Sequence, residues 1–214
     1  PDSPRITSII GYLDLLHREI SISPEGPALS TIYLGGGTPS LLNKNEVGDL
    51  LKNLQRKFGF QEGAEITMEV DPATFFENDL NEYIGIGINR FSLGAQAFDD
   101  ITLASIGRKH KRSQLIEACN WINNLFKKGM LRSWSLDLIQ NLPGLNLSKW
   151  IKELEQAVRT EAPHLSIYDL TIEPNTVFGR LHKKGKLNIP IDSEAQKIDF
   201  ETNRLLKSLS LIHI

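Results

Sequence analysis

The sequence predicts an α/β fold, a partial (β/α) barrel of parallel strands with outer helices, and three observations predict it. Strand-like and helix-like segments alternate in repeated βα units. About five strands can be counted, fewer than the eight of a closed barrel, which takes about 250 residues. The strand-like runs end in glycines and polar side chains, at the C-terminal edge where sheets of this kind hold their ligands.

The elements follow in order. Residues 7–20 carry Ile9, Ile10, Leu13, Leu16 and Ile20 close to one helical face. Residues 31–34 form a short β-rich run that ends in Gly35-Gly36-Gly37. Residues 45–58 return to helical spacing at Val47, Leu50, Leu51, Leu54 and Phe58. A strand over 65–70 stops at Asp71-Pro72, and a short helix over 75–84 is broken by Gly85 and Gly87. Residues 89–93 are strand-like and end at Gly94. A helix over 113–127 is expected to be capped by Ser113 and closed by Gly129. A strand over 133–139 runs into a Pro143-Gly144 turn, and a helix over 148–160 begins with a capping Ser148. A strand over 164–172 ends at Glu173-Pro174-Asn175, and the last helix covers 193–209. The tail 209–214 is apolar and strand-like.

Composition excludes several classes. The chain has 214 residues, 40% hydrophobic and 23% charged, with a formal net charge of −2. That is ordinary for a globular domain, and no global field draws it to nucleic acid. No apolar run approaches the ~20 residues of a transmembrane helix, and the first 20 residues do not read as a secretory signal. A single cysteine excludes an internal disulfide framework, and the expected compartment is the cytoplasm.

The candidate residues sit about one βα unit apart, so they should converge on one rim. Gly35, Gly36 and Gly37 let a backbone approach a ligand closely, or serve only a tight turn. No Gly-Lys-Ser/Thr follows them, so they are not a P-loop. Glu69, at a strand end, needs a partner, either a ligand ammonium or a neighbouring basic side chain. Asp137, between Leu136 and Leu138, can accept two ribose hydroxyls or cap a helix. Arg108 opens the run Arg108-Lys109-His110-Lys111-Arg112, a solvated loop in which one arginine could clamp a carboxylate. Cys119 shares a helix face with Leu115, Ile116 and Ile122 and reads as core filler. The five histidines are scattered, without zinc spacing.

Taken together, the motifs resemble those of the coproporphyrinogen oxidase-like radical S-adenosylmethionine (SAM) family. Ile32-Tyr33-Leu34-Gly35-Gly36-Gly37-Thr38-Pro39-Ser40 resembles its glycine motif. Ile66-Thr67-Met68-Glu69-Val70-Asp71-Pro72 and Asn89-Arg90-Phe91-Ser92-Leu93-Gly94-Ala95-Gln96 resemble the next two. Leu103 to His110, and Ser135-Leu136-Asp137-Leu138-Ile139 with Leu142-Pro143-Gly144, complete the series. Asn141 stands where the family pattern has glycine, in a turn where the change is expected to matter little. The resemblance implies a radical SAM half-barrel with SAM as cofactor. Gly36, Gly37 and Thr38 would hold the methionine end, Glu69 the ammonium and Arg108 the carboxylate. Gln96 and Asp137 would take the ribose hydroxyls, and Thr171 would lie beside the adenine through its backbone.

The stretch from Leu165 to Phe178 resembles the haem chaperone branch, which implies haem as ligand and a haem-acceptor protein as partner. The alternatives are an oxygen-independent coproporphyrinogen III oxidase, acting on a porphyrinogen, and an unrelated phosphate-binding α/β barrel. The resemblance also implies a [4Fe–4S] cluster held by a Cys-x3-Cys-x2-Cys loop that this chain lacks. Residues 1–214 are therefore expected to be an incomplete core domain, inactive alone, with the first strand and the cluster loop before Pro1. The C-terminal region is expected to be missing as well.

Overall fold

A computed structural model describes residues 9–208. It contains five strands, all parallel, in the order β1-β2-β3-β4-β5: β1 Leu29–Leu34, β2 Phe60–Val70, β3 Arg90–Gln96, β4 Ser133–Gln140 and β5 His164–Asp169. Sequential order is the barrel arrangement. Right-handed crossovers that always step the same way leave every helix on one face of the sheet. The helices are α1 Ile9–Ile22, α2 Lys44–Phe58, α3 Glu77–Gly85, α4 Asp100–Ser105, α5 Arg112–Lys127, α6 Leu147–Arg159, α7 Val177–Lys183 and α8 Asp192–Ser208. The result is a curled half-barrel, as the alternating pattern predicts.

Strand parity divides the sheet into two chemically different faces. The outer face carries Ile32, Ile66, Met68, Val70, Phe91, Leu93, Trp134, Leu136 and Leu138, all buried. They form one core with Val47 and Leu51 of α2, Leu80 of α3, Leu115 and Ile122 of α5, and Trp150 and Leu154 of α6. The inner face reads Tyr33, Thr67, Arg90 and Ser133 across one row of the register, and Glu69, Ser92, Ser135 and His164 across the next. Gly94, Asp137 and Ser166 follow. Each strand alternates with period two, so one register places most of the polar residues inside and most of the large apolar ones outside, with Ile139 inside and Gln140 outside as exceptions.

Several boundaries differ from the sequence reading, for identifiable reasons. Helix α5 begins at Arg112 and is capped by Lys111, whose N–H donates to Gln114 Oε1 at 3.0 Å. Ser113 is thus inside the helix. Asn146 caps α6 by accepting from the Lys149 N–H at 3.0 Å, so Ser148 lies in the first turn rather than at the cap. Strand β3 continues past Leu93 to Gln96 because a bulge at Ala95 keeps the ladder with β4. Strand β5 stops at Asp169. Its last link to β4 is the Leu170 N–H to the Gln140 carbonyl at 3.3 Å, and a turn over Pro174-Asn175 follows. The six-residue α4 and seven-residue α7 are too short to show a helical period. Each is set by a cap, Asp99 onto the Thr102 N–H and Thr176 onto the Gly179 N–H. The tail over 209–214 lies outside the described residues.

A buried acid ties the rim to the helical layer. Glu153 of α6 accepts from the backbone N–H groups of Phe98 and Asp99, immediately after β3. Burial pushes its carboxyl above the ordinary value against these two donors.

The two faces should respond differently to truncation. Leu136→Ala, at a fully buried outer-face site, should cost about 2–5 kcal/mol in urea unfolding, whereas Thr31→Ala on exposed β1 should stay within about 0.5 kcal/mol.

Candidate functional site

The polar inner face and the loops after the strands form a cleft of about 190 Å³. It is lined by Gly37, Thr38, Glu69, Asp71, Ser92, Gly94, Gln96, Arg108, Asp137 and Tyr168, among others. Six of the eight residues picked from sequence therefore line one cleft. Gly36 and Thr171 do not line it. Thr171 is exposed two residues past β5, and the β5 residue that reaches the cleft is Tyr168.

Glu69 is held at both oxygens. The Tyr33 hydroxyl donates to Oε1 at 2.9 Å and the Gly36 N–H donates to Oε2 at 3.0 Å. Among the described residues it has no basic side chain as partner, so the salt-bridge alternative is not realised. Gly36 and Gly37 have φ of 78° and 59° with nothing within 4 Å of a would-be Cβ, so the left-handed backbone, not crowding, requires glycine there. At Gly35 the opposite holds. A Cβ would come within 2.6 Å of the Tyr33 ring and 2.9 Å of Glu69 Oε1. Burial, with help from Glu69, pushes the Tyr33 hydroxyl up to about 12, so it stays a donor.

Asp137 caps no helix. Its Oδ2 accepts from Ser92 Oγ at 2.6 Å, while Oδ1 is buried and has no partner. An ionised oxygen buried without a donor is costly, and a ligand hydroxyl would relieve it. Gln96 sits at φ 65° in a tight turn closed by the Ala97 N–H to the Ala95 carbonyl at 2.8 Å. Its Nε2 lies 3.0 Å from where a Gly94 Cβ would stand, so Gly94 clears space for the amide.

Arg108 is ordered onto the cleft rather than free in a solvated loop. Its Nη1 lies 3.3 Å from Asp71 Oδ2. Asp71 is itself fixed by its own N–H to Ser40 Oγ and by the Ala73 N–H to Oδ1, both at 3.0 Å. Burial raises its carboxyl, but His110, the Ala73 N–H and Arg108 outweigh that and hold it below the ordinary 3.8. Asn141 has φ of 60°, a conformation for which glycine is the default residue, and its side chain donates to Asp169 Oδ1 at 2.7 Å. It therefore joins the ends of β4 and β5, a role the sequence reading did not give it.

Residues 13–157 match the radical SAM superfamily model. The chain belongs to the radical SAM superfamily. It is 41% identical over 180 residues to the heme chaperone HemW of Synechocystis sp., covering 84% of this chain and 43% of that protein. It is 39% identical over 155 residues to the heme chaperone HemW of Escherichia coli, covering 72% and 40%. Among solved structures it resembles coproporphyrinogen III oxidase (HemN) from Escherichia coli, with a TM-score of 0.80 and 27% identity over 92% of this chain and 45% of that one. The chain thus spans about two fifths of the length of these curated relatives. The phosphate-binding barrel gives way to these findings.

Membership in the radical SAM family implies SAM and a [4Fe–4S] cluster. The residues present do not fit the cluster. The one cysteine, Cys119, is buried in α5 with its thiol pushed up to about 12 by burial, and a cluster takes several thiolates. Among the described residues no group of three His, Cys, Asp or Glu could hold a metal ion. They do fit SAM, because an orphan acid oxygen, a fixed carboxylate and an arginine face one glycine-lined cleft.

A larger cleft of about 600 Å³ lies outside the sheet between α4 and α6. Its acids Asp99, Asp100 and Glu153 already accept from backbone N–H groups.

Sequence reading overlooked Tyr33, Ser92 and Tyr168 and gave Asp71 no role. The signal was parity: Tyr33 is one residue from Ile32, and Ser92 stands between Phe91 and Leu93, so each points away from a core residue. Asp71 supplies a pH test. Its folded carboxyl titrates below the ordinary 3.8, so its stabilisation is present above that pH and lost as pH falls further. Asp71→Asn should flatten that acid limb, measured as unfolding free energy between about pH 2 and 5.

Proposed function

We propose that this chain is the SAM-binding part of a longer haem-chaperone-like radical SAM protein. Residues 1–214 would form part of its core domain. The observation that carries the reading is the buried, partnerless Oδ1 of Asp137, set in a cleft with a positioned carboxylate at Glu69 and a guanidinium at Arg108. These three groups match a zwitterion joined to a sugar. Glu69 would receive the ammonium, since each of its oxygens keeps acceptor capacity beyond its one donor. Arg108 would turn part of its fork from Asp71 to the ligand carboxylate. Gln96 and Asp137 would take the ribose hydroxyls, and the backbone at Gly36, Gly37 and Thr38 would follow the methionine end. Thr171 would sit beside the adenine through its backbone.

Bound SAM supplies a sulfonium whose carbon–sulfur bond can be cleaved by one electron. This chain's residues contribute binding and orientation, and no cluster step is derived from them. The haem-chaperone reading is supported by 39–41% identity to proteins named heme chaperone HemW, against 27% to the oxidase. Haem would then be the cargo of the longer protein and a haem-acceptor protein its partner. Among the described residues no helix is long and apolar enough to cross a membrane, which accords with a cytoplasmic setting.

Titration calorimetry with S-adenosylhomocysteine tests the binding role. Glu69→Ala and Asp137→Ala should each weaken binding by about 1.5–3 kcal/mol, the worth of a hydrogen bond to a charged group. Unchanged affinity in both variants would overturn the assignments.

A further inference from the structure

His110, the last residue of the Leu103 to His110 motif, is a fully buried side chain behind the cleft, and neither the resemblance nor the SAM reading gives it a role. Its residue exposure is 2%. It stands in the loop between α4 and α5, with Nε2 3.2 Å from the Ala95 carbonyl and Nδ1 3.8 Å from Asp71 Oδ1. A carbonyl only accepts, so Nε2 carries a proton, and Nδ1 acts on the Asp71 carboxylate as the second N–H of the imidazolium. Nδ1 is buried without a hydrogen bond, and Asp71, just beyond hydrogen-bond reach, is its nearest ionic neighbour.

Both contacts lead to the cleft. The Ala95 carbonyl already closes the turn around Gln96, where φ of 65° with an i to i+2 bond marks the rare, strained γ form. Such a turn persists only where its surroundings over-determine it. A second donor on the same carbonyl, from a ring that cannot move, does this. The other contact faces Asp71, the partner of Arg108. One imidazole therefore stands behind both the residue reaching the ribose side of the cleft and the residue reaching its carboxylate side.

We propose that His110 is a positioning residue that braces the Gln96 turn through the Ala95 carbonyl and steadies Arg108 through Asp71, coupling the two ends of the SAM cleft. The proposal rests on the SAM reading for its ligand, but not for the brace itself.

Two substitutions separate the contacts. In H110Q the side-chain amide can replace Nε2 against the Ala95 carbonyl and offers nothing in place of the ring at Asp71. H110L removes both. Binding is measured by calorimetry on the full chain with S-adenosylhomocysteine and with methylthioadenosine, a nucleoside without the amino acid end. H110L should weaken both ligands by about ten-fold, the equivalent of about 1.4 kcal/mol. H110Q should restore methylthioadenosine to within about two-fold of wild type while S-adenosylhomocysteine stays weak. A lost core contact alone would not discriminate between the ligands. Wild-type affinity of H110L for both, or equal losses in H110Q and H110L, would overturn the proposal. If H110L does not fold, H110Q decides: selective loss of S-adenosylhomocysteine supports the separate roles of the two contacts, and no selectivity overturns the proposal. If wild type binds neither ligand, the SAM reading has failed, and amide exchange at Ala97 decides the brace. Faster exchange in H110L than in H110Q and wild type supports it, and equal exchange in all three overturns it.

Discussion

The constraint on which the structure depends is the parity of its parallel register. Pairing Tyr33 with Thr67, Thr67 with Arg90 and Arg90 with Ser133 commits every strand at once. A slip of one residue in any strand would turn Phe91 or Leu136 into the cup and Ser92 or Asp137 into the core. The apolar layer between sheet and helices is what prevents that slip. The inner face is then free to be polar, because the period of two gives it every residue the core does not use. The same packing that stabilises the fold thus leaves a row of acids, hydroxyls and glycines pointing at one space.

Much of this was legible in the sequence. The βα alternation, the five strands and the clustering of Thr38, Glu69, Gln96 and Asp137 follow from local pattern and spacing, which also put Thr171 on the rim where it does not line the cleft, while Arg108 was placed there by the family resemblance alone. What was not legible depends on tertiary partners. Short helices such as α4 and α7 show no period and exist through their caps. Ser113 and Ser148 look like caps because the residue type is right, but the first helical turn is decided by Gln114 folding back on Lys111 and by the amide of Asn146. Asn141 reads as a harmless departure from glycine, yet its left-handed backbone is held by a bond to Asp169, 28 residues away. Pairings across such distances carry no trace in a local window.

The glycines show two different demands within three residues. Gly35 is small because the Tyr33 ring and the Glu69 carboxylate crowd it, whereas Gly36 and Gly37 are open to solvent and bent into a backbone that other residues avoid. The first demand is steric and the second conformational, and together they place an N–H on Glu69. Behind the cleft the same economy holds. Ser40, Ala73, Arg108 and His110 all converge on Asp71, a residue that lines the cleft and is also the hub of its wall.

The strands of the half-barrel lie side by side in the order in which they occur along the chain. In a doubly wound sheet a cleft opens where the order reverses, and its walls come from segments far apart in sequence. Here the cup is assembled by neighbours, from Gly37 just after β1 to Tyr168 on β5, without any interruption by a strand that faces elsewhere. The site is therefore a cassette. Among the described residues the lining groups fall between Gly37 and Tyr168, so exchange of sequence outside that stretch would change what surrounds the cup without dividing them.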